Sequence, residues 1–152
     1  YNYGTTTVST ASTLRSVKAM KLASGAGTFQ ADEKITQATS GAVGKVVEYD
    51  STNRIIYYQQ ERFADYGTPS DGNKDAFSGT YTITGATSSA TGAPDAAADS
   101  SVDTGDSTIT FTNGFANEEI EHDSGDILYT ESRRPISRAS DQTEDIKLII
   151  EF

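Results

Sequence analysis

The chain has 152 residues, no cysteine, and 22 acidic against 12 basic side chains, a net charge of −10. That length argues for one domain or two small ones, and the missing cysteine excludes disulfides and thiolate chemistry. The acidic balance excludes the basic stripe of a nucleic-acid binder and the attraction that an anionic membrane surface requires. Ala, Val, Ile, Leu, Met, Phe and Gly make up about 38% of the residues, below the roughly 45–50% of an average domain. Ser and Thr supply about a quarter. Short strands joined by polar loops fit that mixture. No apolar run approaches the roughly 20 residues that span a bilayer, and no secretory signal pattern is present. The chain starts at Tyr1 without an initiator Met, which implies a processed or excised piece.

Residues 1–12 are polar and aperiodic, an extended arm. Over 13–24, Leu14, Val17 and Met20 fit a helical face, while Val17, Ala19 and Lys21 alternate with Lys18, Met20 and Leu22. A strand is the better reading, because Gly25 and Gly27 close the run quickly. Three short strand patterns follow at 33–37, 44–49 and 54–60, the last two separated by a turn holding Asp50 and Asn53. Both residues make side-chain turns and tolerate the left-handed region. The residues 13–66 therefore read as a small β meander, and 67–152 as a C-terminal β module, with one compact domain as the alternative grouping.

Within that second part, 66–75 is loop by composition. The run 77–85 reads as a strand with Tyr81 and Ile83 on one face. Residues 86–106 are low in complexity, with Val102 the one β-branched aliphatic, and read as a mobile, solvent-exposed excursion. Asn113-Gly114 between two alternating runs is the signature of a two-residue type I′ hairpin. At the end of the chain, Ile127 and Tyr129 suggest one strand. Ile146, Leu148, Ile150 and Phe152 share one face of another, so Phe152 should be core. The expected fold is all-β: an antiparallel β-sandwich or barrel-like module with long polar loops and little helix.

No catalytic template is met. His122, the single histidine, lies between Glu121 and Asp123 with no second His or Cys to form a metal site or dyad. GAVGKVV at 41–47 has Thr39 where the phosphate-loop spacing needs Gly and Val46 where it needs Ser or Thr, so a turn explains its glycines better. Asp71, Asn73 and Asp75 have the spacing of the first half of a calcium loop. Ala76 and Thr82 stand where that loop needs Gly and a bidentate Glu, which leaves at most an irregular, weak metal site. The pairs Glu118/Glu119 and Asp123/Asp126 fit a solvated face better than hydrolytic carboxylates. Tyr57, Tyr58, Phe63 and Tyr66 form the only dense aromatic group: core of the first meander, or a glycan-stacking face. Arg133, Arg134 and Arg138, set around Pro135 and Ile136, are partner-contact candidates. They pair with nearby Asp and Glu of the same chain or with an acidic neighbour. No cofactor and no small-molecule substrate is called for.

The segment 124–152 resembles the end of the baseplate wedge protein of T-even-like contractile-tailed phages, the gene product 8 type. The shared elements are Gly125-Asp126, Arg134-Pro135-Ile136, Gln142-Thr143-Glu144 and the final aliphatic strand ending in Phe152. A looser likeness to phage structural β-modules covers 29–50. The resemblance implies an architectural, non-enzymatic subunit in the tail baseplate of the virion, assembled in the host cytoplasm. It would contact other tail baseplate proteins and allow a homodimer. It also implies that this chain is a C-terminal portion of a longer protein. A receptor- or glycan-binding tail module is the alternative function.

Overall fold

The computed structural model describes residues 1–60, 74–96, 100–121, 124–125 and 129–132. These form nine strands and no helix: β1 (Lys18–Ala26), β2 (Lys34–Gln37), β3 (Ala42–Asp50), β4 (Ile55–Gln59), β5 (Ile83–Gly85), β6 (Thr91–Pro94), β7 (Ser100–Asp103), β8 (Thr108–Phe111) and β9 (Phe115–Ala116). All pairings are antiparallel, so the fold is all-β and barrel-like.

The sheet order β4-β3-β2-β5-β6-β1 closes on itself through β1–β4. The first strand does this by changing partners along its length. Lys18–Lys21 pair with Tyr58–Ile55, and Leu22–Ala26 pair with Pro94–Thr91 across a bulge at Ala23. On the side away from β4, β9 pairs with Ala19 and Met20 where β6 stops. Closure gives β2 to β6 neighbours on both sides, which leaves strands of other chains fewer edges to pair with.

Met20, Leu22, Ile35, Val46, Ile56, Tyr58 and Ile83 fill the interior with Phe29, Phe77 and Ala90. A second core lies outside the barrel wall, where Ala19 and Ile55 meet Ile109, Phe111 and Ala116, with Tyr57 and Val102 at its edge. The β7–β8 hairpin is thus a cover over β1 and β4. Those two strands are buried on both faces, which is why Ala19 and Met20, and Ile55 and Ile56, are all fully buried.

The expected strands at 33–37, 44–49 and 54–60 correspond to β2, β3 and β4, and the 13–24 run to β1. In the β3–β4 turn, Asp50 Oδ1 accepts from the Thr52 and Asn53 amides at 2.9 and 3.0 Å. Asn113 and Gly114 both have positive φ, 51° and 82°, as the type I′ hairpin requires. GAVGKVV is a turn running into a strand. Gly41 takes φ 76°, and a Cβ on Gly44 would sit 3.0 Å from the Phe77 ring, so that glycine seats an interior aromatic.

Two expectations are corrected. The 77–85 run is a strand only over Ile83–Gly85. Phe77 turns into the barrel and Tyr81 is 49% exposed, because the Ser78 amide and Tyr81 carbonyl bond to the Gln37 side chain instead of a neighbouring strand. The stretch 86–106 is not without regular structure: it contains β6 and β7. Its small residues let β6 lie close to β1, since a Cβ on Gly92 would meet Leu22 Cδ1 at 2.5 Å. The sheet takes strands from both sides of residue 66. The 1–12 arm is held against 119–121: the Tyr3 amide donates to the Glu119 carbonyl at 2.7 Å, and the Glu121 amide to the Tyr1 carbonyl at 2.8 Å.

Candidate functional site

Alternation along β2 sets Glu33, Ile35 and Gln37 on one side of the strand, facing inward, and both polar side chains are buried. Glu33 is saturated. Its Oε1 accepts from the Gln30 amide at 2.7 Å and the Ser88 hydroxyl at 2.8 Å, and Oε2 from the Ser88 and Thr87 amides at 2.9 and 3.1 Å. Burial pushes the carboxyl's pKa up, but hydrogen bonds from Ser88, Gln30 and Thr87 outweigh it, so Glu33 is held below its usual range. Gln37 donates to the Tyr81 carbonyl at 2.9 Å and accepts from the Ser40 hydroxyl at 2.6 Å and the Ser78 amide at 2.9 Å. Both side chains tie distant loops to the barrel. Neither was singled out from the sequence, although sharing the parity of Ile35 was a readable signal.

Arg15 is a second polar centre, partly buried. Its guanidinium donates to the Val17 carbonyl and, at 2.5 Å, to the Asn117 carbonyl, and lies 4.0 Å from Glu119 Oε1. Glu119 Oε2 accepts from the Arg15 amide at 3.0 Å. Burial lowers the Arg15 pKa, and Glu119 acts in the opposite direction. Glu119 therefore anchors the chain entering β1, which accounts for one member of the Glu118/Glu119 pair structurally.

Arg54 satisfies the bulge. It sits in the left-handed region at φ 56°, its carbonyl accepts from the Leu22 amide at 2.8 Å, and its side chain donates to the Ala23 carbonyl at 2.9 Å. The bulged carbonyl of β1 thus finds a partner in an arginine.

Of the sequence-named candidates, Asp75 is partly buried, and its carbonyl accepts from Gln60 Nε2 at 2.8 Å. Asp71, Asn73, His122, Asp123, Asp126, Phe63, Tyr66, Arg133, Arg134, Arg138 and the strand at 146–152 lie outside the described residues. Among the described residues no three His, Asp or Glu side chains are grouped to hold a metal. Tyr58 points into the barrel, edge-on to Phe77 with centroids 5.2 Å apart, while Tyr57 is half-buried on the outer wall.

Outside the barrel wall runs a groove of about 480 Å³. It lies between the 14–17 segment, the outer side of β3 and β4, and the turn of the β7–β8 hairpin. Leu14 and Val47 stand exposed in it, and Glu48, Asp50 and Asp106 line it. Burial and the carboxylates of Asp50, Glu48 and Asp106 raise the pKa of the Tyr57 phenol at its floor, against Arg15. Comparison of the chain with protein-family models, curated proteins and solved structures finds no match.

Proposed function

We propose that the chain is a structural subunit of a phage tail baseplate wedge, acting in the virion through protein–protein contacts and without catalysis. The sequence resemblance of 124–152 supplies the assembly. The observation that carries an architectural role is the saturation of Glu33 and Gln37. Among the described residues, the two buried polar side chains, Glu33 and Gln37, are fully engaged in pinning loops, and an ionised Glu33 bonded by four donors has no site free for proton transfer. Side chains pack the interior, so the space available to partners lies on the outer surface.

A glycan-binding role draws less support, because Tyr58 is committed to the core and cannot stack on a sugar. The test is reconstitution with purified wedge proteins of a contractile-tailed phage, followed by sedimentation and electron microscopy. A discrete complex is expected, weakened by Arg133→Ala with Arg134→Ala more at low salt than at high, with Tm nearly unchanged. Failure to join any wedge component, together with specific glycan-array binding, overturns the reading.

A further inference from the structure

The groove over the outer wall combines exposed aliphatic side chains with an acidic rim. Three large aliphatic side chains are exposed among the described residues, Val8, Leu14 and Val47, and two of them stand in this groove, 57% and 44% exposed. Val47 is there because β3 bulges: Val46 pairs with Tyr58 and Glu48 with Tyr57, so the residue between them has no partner and faces out. Bulges re-aim side chains in this way, and they are common where a sheet meets a ligand. The floor is firm, since Tyr57 and Ile109 belong to the second core.

The rim is acidic. Glu48, Asp50 and Asp106 line the groove, and Arg15, the cation among its lining residues, is already opposite Glu119 with its guanidinium on two carbonyls. Asp50 holds the turn amides yet stays ionised, its pKa lowered against burial by the bonds from Asn53 and Thr52. An occupant must therefore bring positive charge to the rim and apolar surface to Leu14 and Val47. Lone aliphatic ligands leave the carboxylates unmatched, and purely basic ones leave the apolar floor wet.

We propose that this groove docks an extended segment of a neighbouring assembly protein in which arginine or lysine flanks an aliphatic residue. The inference rests on the architectural reading for its partner, but the groove can be tested without the assembly. Failure here leaves reconstitution with wedge proteins as a separate result. The probe is the peptide acetyl-Arg-Ile-Arg-Ile-Arg-amide, titrated into the full chain and followed by amide and methyl NMR. Controls are Arg-Ser-Arg-Ser-Arg and Glu-Ile-Glu-Ile-Glu.

Saturable shifts confined to Leu14, Val47, Tyr57 and 104–107 are expected with the first peptide. Binding should weaken about tenfold with Glu48→Gln plus Asp106→Asn, and about fivefold with Leu14→Ser or on raising salt. Several results overturn the proposal. They are no saturable shift, shifts spread over the acidic surface, or equal binding of the Arg-Ser peptide. So is a groove already occupied, seen as peptide-insensitive signals, or as shifts that follow protein concentration alone because a second copy sits there.

Discussion

Replacing Glu33 with Gln keeps the shape of the side chain and removes what its site is built around. The carboxylate accepts from four donors, the amides of Gln30, Thr87 and Ser88 and the Ser88 hydroxyl. Glutamine retains one oxygen and turns an NH2 toward donors, so about two of the four donors keep a partner. Hydrogen bonds to a charged group contribute roughly 1.5–3 kcal/mol each, and a buried donor left without a partner costs about 1–3 kcal/mol. Partial relaxation of the 86–89 turn should reduce the total, giving a destabilisation of about 3–5 kcal/mol within a whole-domain stability of roughly 5–15 kcal/mol. At this chain length that corresponds to a fall in Tm of about 6–20 °C. Urea denaturation followed by circular dichroism measures it directly, with the m-value checking that the unfolded state is unchanged.

The pH dependence adds a second readout. Glu33 has its folded pKa below the ordinary value of 4.5, so its stabilisation is complete above that value and is lost as the pH falls through the folded pKa. The gap between wild type and Glu33→Gln should therefore be widest at neutral pH and narrow below about pH 4.5. A loss under about 1 kcal/mol at neutral pH, or a gap that does not close in acid, refutes the assignment of Glu33 as an ionised tie.

Gly25→Ala should be more damaging than its size suggests, because the new Cβ would lie 2.3 Å from the backbone oxygen of Thr91. Loss of amide-exchange protection in β6 ahead of β3 is the expected signature, and equal protection in both strands contradicts it. Arg54→Gly should change stability by less than about 1 kcal/mol, since relief of the left-handed backbone offsets the lost bond to Ala23. Arg54→Ala loses the bond without that relief and should cost about 1–2 kcal/mol more by denaturant titration. Burial raises the Tyr58 phenol above its ordinary 10. Its contribution is therefore complete below pH 10 and lost as the pH rises through the folded value. Tyr58→Phe should flatten that alkaline limb in melts recorded from pH 8 to 12.

How much was legible in the sequence follows from where each signal resides. Asp50 and Asn53 announced their turn because the side chains themselves make it, and Asn113-Gly114 because few other pairs accept two positive φ values. The 13–24 run looked ambiguous for a physical reason. A strand packed on both faces loses its alternation, so Ala19 beside Met20 leaves a helical face open as the lesser reading. The 86–106 stretch misled for the opposite reason. Ala90, Gly92 and Ala93 look like linker, yet small size is what the approach to Leu22 demands, and distance across a sheet is not written in local composition. The same holds for Glu33, whose Thr87 and Ser88 partners lie more than fifty positions away.

The partner changes of β1 also set an order in time. Met20 is matched to Ile56, Leu22 to Pro94 and Met20 again to Phe115. A growing chain makes β1 before its partners and must hold it unmatched until successively later stretches emerge. Pairings at such separations are slow to form, because the entropy of closing the loop precedes any reward. Until Pro94 has emerged, the second half of β1 offers unpaired backbone, and until Ile109, Phe111 and Ala116 follow, the apolar surface of Ala19 and Ile55 faces water. The vulnerable interval is therefore during synthesis. It closes once Ala116 has emerged, so chains stalled before that point should aggregate where longer ones do not.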